Sequence, residues 1–152
     1  MPTAAIVYES ITGVTERFAE AIAKHLVERG VDATAVSIGD CDPAALDGHD
    51  LVLLGCWTSG LFVVGQHPDR EWVAFVAMIP ELRHPRVALF TTYRIATGGM
   101  FGRMRRALGP TGAAVDLELK SRDGRLSDDH RKRLDAWLAT SGATGSGGAA
   151  TT

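Results

Sequence analysis

The sequence predicts an α/β domain in which a five-stranded parallel sheet is doubly wound, with helices on both faces in three α-β-α layers. Three observations predict it. Five short apolar runs alternate with segments whose apolar residues recur at helical spacing. Within the runs, positions 4–8, 51–54 and 87–90 are apolar at every step, as strands buried on both faces are. The chain has 152 residues, enough for one domain whose core needs no metal or disulfide staple.

The elements follow in order. The first strand run covers 4–8. Val14, Phe18, Ile22 and Leu26 then form one helical stripe, with Glu16, Glu20, Lys24 and Glu28 facing water and Gly30 placed to end the helix in a left-handed conformation. The second run is 33–38. Residues 42–46 allow only a short helix or turn before the third run, 50–56. Trp72, Phe75, Val76 and Ile79 make the next stripe, with Asp69 as N-cap and Pro80 as stop. The fourth run, 86–91, leads to a stripe of Phe101, Met104 and Leu108 closed by Gly109-Pro110. The fifth run, 113–119, alternates with Asp116, Glu118 and Lys120 and reads as a sheet edge. Leu134, Trp137 and Leu138 make the last stripe, capped by Ser127. Each crossover joins parallel strands and is expected to be right-handed. Residues 1–140 thus form the domain, and 141–152, rich in Gly, Ser, Ala and Thr, read as a disordered tail.

Bulk composition narrows the function. Sixteen Lys and Arg against eighteen Asp and Glu give a net charge of −2, which excludes a general nucleic-acid binder. Cys41 and Cys56 show no CxxC spacing and read as free thiols in a reducing compartment. The N-terminus lacks the pattern of a signal peptide and no apolar run reaches the length of a membrane span, so a cytoplasmic location is expected. The five histidines have no metal-ligand spacing, no metal is expected, and no Ser/His/Asp arrangement can be assembled from spacing. His25 falls on the flank of its helix, and Asp40-Cys41-Asp42 reads as a turn.

In an open parallel sheet, ligands bind beyond the carboxyl ends of the strands, at the switch point in strand order. Three loops qualify: 9–13, 56–68 and 91–99. The first follows a strand and opens a helix, so unpaired N–H groups and the positive end of the helix dipole face outward. Ser10, Thr12 and Thr15 add hydroxyls, and Gly13 allows close approach of an anion. The loop has no lysine, so it is neither a Walker loop nor a GxGxxG turn. Hydroxyls and amides without a cation suit a terminal phosphate monoester.

Residues 6–22, with Ile6-Val7-Tyr8 followed by Ser10-Ile11-Thr12-Gly13-Val14-Thr15 and then Ala19 and Ile22, resemble the flavodoxin signature. The stretch 50–60, ending Cys56-Trp57-Thr58-Ser59-Gly60, is similar to the third strand and flavin-contacting loop of that family. The resemblance, which runs from residue 3 to about 139, implies flavin mononucleotide (FMN). Its phosphate would be held by Ser10, Ile11, Thr12, Gly13, Val14 and Thr15. The ring would lie between Trp57, Thr58, Ser59 and Gly60 of the second loop and Thr92, Tyr93, Arg94 and Gly98 of the third.

The chain departs from the family's pattern in two ways. Ser59 stands where tryptophan is often found and Thr97 where tyrosine is usual, which leaves Trp57 either a stacking ring or a lid aromatic. The third loop carries Arg94 where the family has carboxylates, with His67 and Arg70 flanking the second. Arg103, Arg105 and Arg106 read as a solvated helix face. The resemblance implies an electron carrier serving redox partner proteins, as monomer or dimer. An alternative is a small FMN-dependent oxidoreductase acting on a quinone, porphyrinogen or nicotinamide, suggested by Arg94 and the apolar segment 61–65. A further alternative is a cofactor-free binding module.

Overall fold

Side chains alternate faces along a strand, so a run of consecutive apolar residues supplies two cores at once. The computed structural model of the protein describes residues 1–58, 68–94 and 97–146. Strands β1 (Thr3–Glu9), β2 (Asp32–Ser37), β3 (Leu51–Trp57), β4 (Arg86–Thr92) and β5 (Val115–Ser121) pair in parallel in the order β2-β1-β3-β4-β5. Helices α1 (Val14–Glu28), α2 (Arg70–Ala77), α3 (Met100–Leu108) and α4 (Asp128–Ser146) complete the three expected layers.

Ala4 and Ile6 of β1, Leu51 and Leu53 of β3, and Ala88 and Phe90 of β4 pack under Phe18, Ile22 and Leu26 of α1 and Leu134 and Trp137 of α4. The intervening residues Ala5, Val7, Val52, Leu54, Val87 and Leu89 pack under Trp72 and Val76 of α2 and Met100, Met104 and Leu108 of α3. Each large aliphatic side chain so buried contributes about 1.5–3 kcal/mol. The short element expected near 42–46 is a 3-10 turn, Pro43–Gly48, whose buried Leu46 extends the second core.

The caps follow their sequence signals. Asp69 accepts from the Glu71 N–H at 3.0 Å, and Ser127 Oγ accepts from the His130 N–H at 3.1 Å. Two details differ from the sequence expectation. β5 begins two residues late, because Gly112, at φ +72°, and Ala113, whose N–H bonds Thr111 Oγ1, complete the turn after α3. His25 is 2% exposed, its flank being covered by α4, with Nε2 2.8 Å from Asp135 Oδ1. The backbone of α4 runs to Ser146. Extending a formed helix gains one hydrogen bond per residue without a new nucleus, which offsets the poor propensities of Gly, Ser and Thr there.

The edge strand is fastened from above. Trp137 Nε1 donates to Asp116 Oδ1 at 2.6 Å, and Arg86 donates both to Asp116 and, at 2.9 Å, to the Trp137 carbonyl. One glycine is required by packing: a Cβ at Gly55 would lie 2.3 Å from the ring of buried Phe90. Gly55→Ala is expected to destabilise the fold by about 1–3 kcal/mol in urea unfolding, through overpacking. An unchanged midpoint would show that Phe90 can yield.

Candidate functional site

β1 is flanked by β2 on one side and β3 on the other. The chain leaves β1 toward α1 on one face and leaves β3 toward α2 on the opposite face, so the two loops diverge and open a crevice at the carboxyl edge.

The first loop is built around Gly13, which caps α1 in a left-handed conformation, φ +91°, with no side-chain bond to the helix start. Ser10 Oγ instead accepts from the Gly13 N–H at 3.1 Å and draws the loop into a turn. Among the described residues, no acceptor is bonded to the N–H groups of Val14, Thr15 or Glu16, which point out of the helix. Ile11 and Thr12 are exposed on the rim. The first basic residue, Arg17, turns away and donates to the Asp123 carbonyl at 3.1 Å. Gly124, at φ +80°, lies so close behind the loop that a Cβ there would come 2.6 Å from the Val14 carbonyl. Asp123-Gly124 therefore props the first turn of α1. Sequence reasoning missed this support: Asp-Gly signals a turn but not what the turn rests on.

Threonine hydroxyls join the three loops. Thr15 is 1% exposed, and its Oγ1 lies 2.6 Å from Thr92 Oγ1 at the end of β4. The hydroxyl expected to face a phosphate thus points inward, while the backbone N–H of Thr15 stays available. Thr91 Oγ1 donates to the Cys56 carbonyl at 2.6 Å, which makes Thr58 the donor in its 2.9 Å bond to Thr91. Backbone bonds reinforce the set. The Thr58 N–H donates to the Thr92 carbonyl at 2.8 Å, and the Tyr93 N–H donates to the Ser121 carbonyl at 3.1 Å.

Trp57 is half-buried at the end of β3, and its Nε1 is buried without a partner in hydrogen-bond geometry. Ser59, Gly60, the apolar segment 61–65 and His67 lie outside the described residues. In the third loop, Tyr93 is half-buried with Lys120 Nζ and the Arg122 guanidinium each 5.9 Å from its ring centre. Arg94 is exposed, and its carbonyl accepts from Arg122 at 3.3 Å. Gly98, at φ +50°, is exposed on the approach to α3. Of the helix arginines, Arg105 is paired with Glu118 at 2.6 Å, while Arg103 and Arg106 are exposed.

Burial, then the charge of Asp69, raises the Glu9 carboxyl, while the nearby Trp57 indole lowers it. Burial pushes the Cys56 thiol far up, so it is a protonated core residue and not a nucleophile. Tyr8 is raised by burial and by its 3.1 Å bond to Glu16.

The comparisons with known proteins concern the family and the fold. A family model described as Flavodoxin matches residues 6–137. The chain is 36% identical over 89 residues to a flavodoxin of Clostridium beijerinckii, a match covering 58% of this chain and 62% of that protein. It is 29% identical over 110 residues to a flavodoxin of Megasphaera elsdenii, covering 72% and 79%. The solved structure of a short-chain flavodoxin associated with a PDU bacterial microcompartment has a similar fold, with TM-score 0.73, 20% identity, and 95% and 99% of the two chains covered. The two-electron reduced flavodoxin of Megasphaera elsdenii gives TM-score 0.72 at 24% identity, covering 86% and 94%.

The inward hydroxyl pair makes a sharp prediction. Thr15→Val leaves the Thr92 hydroxyl buried and unpaired, at an expected cost of about 1–3 kcal/mol. Thr15→Val/Thr92→Val removes both polar groups and should recover part of that loss. Strictly additive losses in urea unfolding would refute the pairing.

Proposed function

The chain belongs to the flavodoxin family, whose members carry electrons on FMN, and we propose that this chain holds FMN between its three carboxyl-edge loops and passes electrons between redox partner proteins. One observation carries the reading: α1 starts with N–H groups that no atom of the described residues accepts, behind a left-handed Gly13, in a loop without a cation. That donor set fits a phosphate monoester and holds it by directed hydrogen bonds and the helix dipole.

In this assignment the N–H groups of Val14, Thr15 and Glu16 and the hydroxyls of Ser10 and Thr12 hold the phosphate. Ser10 can turn its hydroxyl from the Gly13 N–H toward the ligand without disturbing the strand. The bound flavin supplies one- and two-electron chemistry. Trp57 and Thr58 border one side of the ring site and Tyr93, Arg94 and Gly98 the other, with Ser59 and Gly60 assigned by resemblance alone. Thr15 and Thr92 act one step behind, holding the first and third loops at a set separation.

The family relationship favours the carrier over an oxidoreductase acting on a quinone, porphyrinogen or nicotinamide, and over a cofactor-free module. A cytoplasmic location is supported by two free cysteines in a chain of this size. Among the described residues, no helix is long and apolar enough to cross a membrane.

Titration of the full-length protein with FMN should quench flavin fluorescence at a single site. Thr12→Ala or Ser10→Ala each removes one bond to a charged group, worth about 1.5–3 kcal/mol, so affinity should fall ~10–100-fold. Fluorescence unchanged by the wild-type protein, or wild-type affinity in both variants, would reject the assignment.

A further inference from the structure

A second group of residues at the carboxyl edge takes no part in the phosphate cradle. Glu9, Asp69 and Glu71 each bring a carboxylate oxygen to within 4.8 Å of the other two. Glu9 ends β1, on the face covered by α2 and α3, while Asp69 caps α2 and Glu71 lies in its first turn. Helix capping accounts for Asp69 and Glu71, which sit where the dipole favours negative charge.

Capping does not account for Glu9. The side chain comes from a strand, is only 8% exposed, and has no hydrogen-bond partner at Oε1. Among the described residues, no Lys, Arg or His lies within salt-bridge distance of any of the three carboxylates. A buried carboxylate oxygen facing two further carboxylates is costly unless something positive meets it. The cluster also reaches water, because Glu9 and Glu71 border an open cavity of about 420 Å³ together with Ser10 and Glu16.

We propose that Glu9, Asp69 and Glu71 bind a divalent cation of the hard, oxygen-seeking class that carboxylates select. The three carboxylate oxygens lie close enough together to share one ion, and the cavity supplies the waters that complete the shell. The positive end of α2 opposes a cation by about half a charge, which three carboxylates outweigh. Sequence spacing could not show the site, because Glu9 is 60 residues from Asp69. The site does not depend on the flavin reading, since none of its three residues belongs to the proposed cradle.

The test uses the full-length chain as purified, passed through chelator and freed of unbound FMN, since phosphate itself binds metal. CaCl₂ and MgCl₂ are titrated separately by calorimetry. Tb³⁺ serves as the luminescent probe, with Trp57 close to Glu9 as sensitiser. One site per chain is expected, with Tb³⁺ emission displaced by Ca²⁺ and unfolding shifted to higher temperature by Ca²⁺. Glu71→Gln changes an exposed side chain and should weaken binding about tenfold or more. Glu9→Gln should remove the site, and Glu81→Gln, an exposed carboxylate elsewhere, should leave it intact. If Glu9→Gln fails to fold, Glu71→Gln decides alone. No binding up to on the order of 10 mM, or equal binding by Glu71→Gln and wild type, or equal loss in Glu81→Gln, would overturn the proposal.

Discussion

The carboxyl edge takes its form from β1, which is hydrogen-bonded along both sides and buried on both faces. Residues 3–8 pair with 32–37 of β2, and residues 4–9 pair with 51–56 of β3. A strand used up on four sides has only its ends left for chemistry. At the carboxyl end the chain must turn off into α1, and the first turn of that helix necessarily presents unbonded N–H groups. The crevice exists because β1 and its neighbour β3 send their chains to opposite faces of the sheet. The position of the crevice is thus a consequence of parallel pairing, and the unbonded N–H groups at its edge are a consequence of helix geometry.

Position alone does not give a defined site, because three loops of unrelated sequence must keep their spacing. Threonines at the ends of β3 and β4 and at the start of α1 do this. Thr15 meets Thr92, and Thr58 meets Thr91, which in turn donates to Cys56. Each hydroxyl is both donor and acceptor, so a pair can satisfy itself without water. These bonds join α1 to β4 and the end of β3 to β4, across 77 and 33 residues of chain. Beneath them, Phe90 fills the space left by Gly55 and sets edge to face against Phe18, with ring centres 5.9 Å apart.

Much of this was legible in the sequence, for identifiable reasons. Continuous apolar runs such as Leu51-Val52-Leu53-Leu54 admit little besides a doubly covered strand, and period-3.6 stripes between them admit little besides crossover helices. Ser10 to Gly13 could be read because capping chemistry is local. Partners distant in sequence could not be read in this way. Thr15 carries a hydroxyl in the right loop, yet only the folded chain shows that the hydroxyl faces Thr92. His25 read as a flank residue because the burial of that flank depends on α4, more than a hundred residues away. The same limit hid Asp123-Gly124 behind the first loop and Glu9 beside Asp69 and Glu71.

The distribution of charge along the carboxyl edge follows from the same geometry and has its own consequence. The side of β1 and α2 is acidic, with Glu9, Glu16, Asp69 and Glu71, whereas the side of β4 and β5 is basic, with Arg94, Lys120 and Arg122 about Tyr93. No carboxylate among the described residues pairs with Arg94, Arg103, Lys120 or Arg122. Asp123, next along the chain, is engaged with Ser121 and the Arg125 N–H. The chain's net charge of −2 therefore says little about the field at either side. Screening over about 8 Å in physiological salt means that opposite ends of the edge cannot cancel for a group lying against one of them. An exposed unit charge 6 Å away is worth about 0.7 kcal/mol in water, and more where water is excluded. Negative charge developing beside Tyr93 is stabilised by Lys120 and Arg122, each 5.9 Å from its ring centre, while the same charge beside Glu9 is opposed. Which side of the edge a reducible group lies against, more than the total charge of the protein, decides how readily that group accepts an electron.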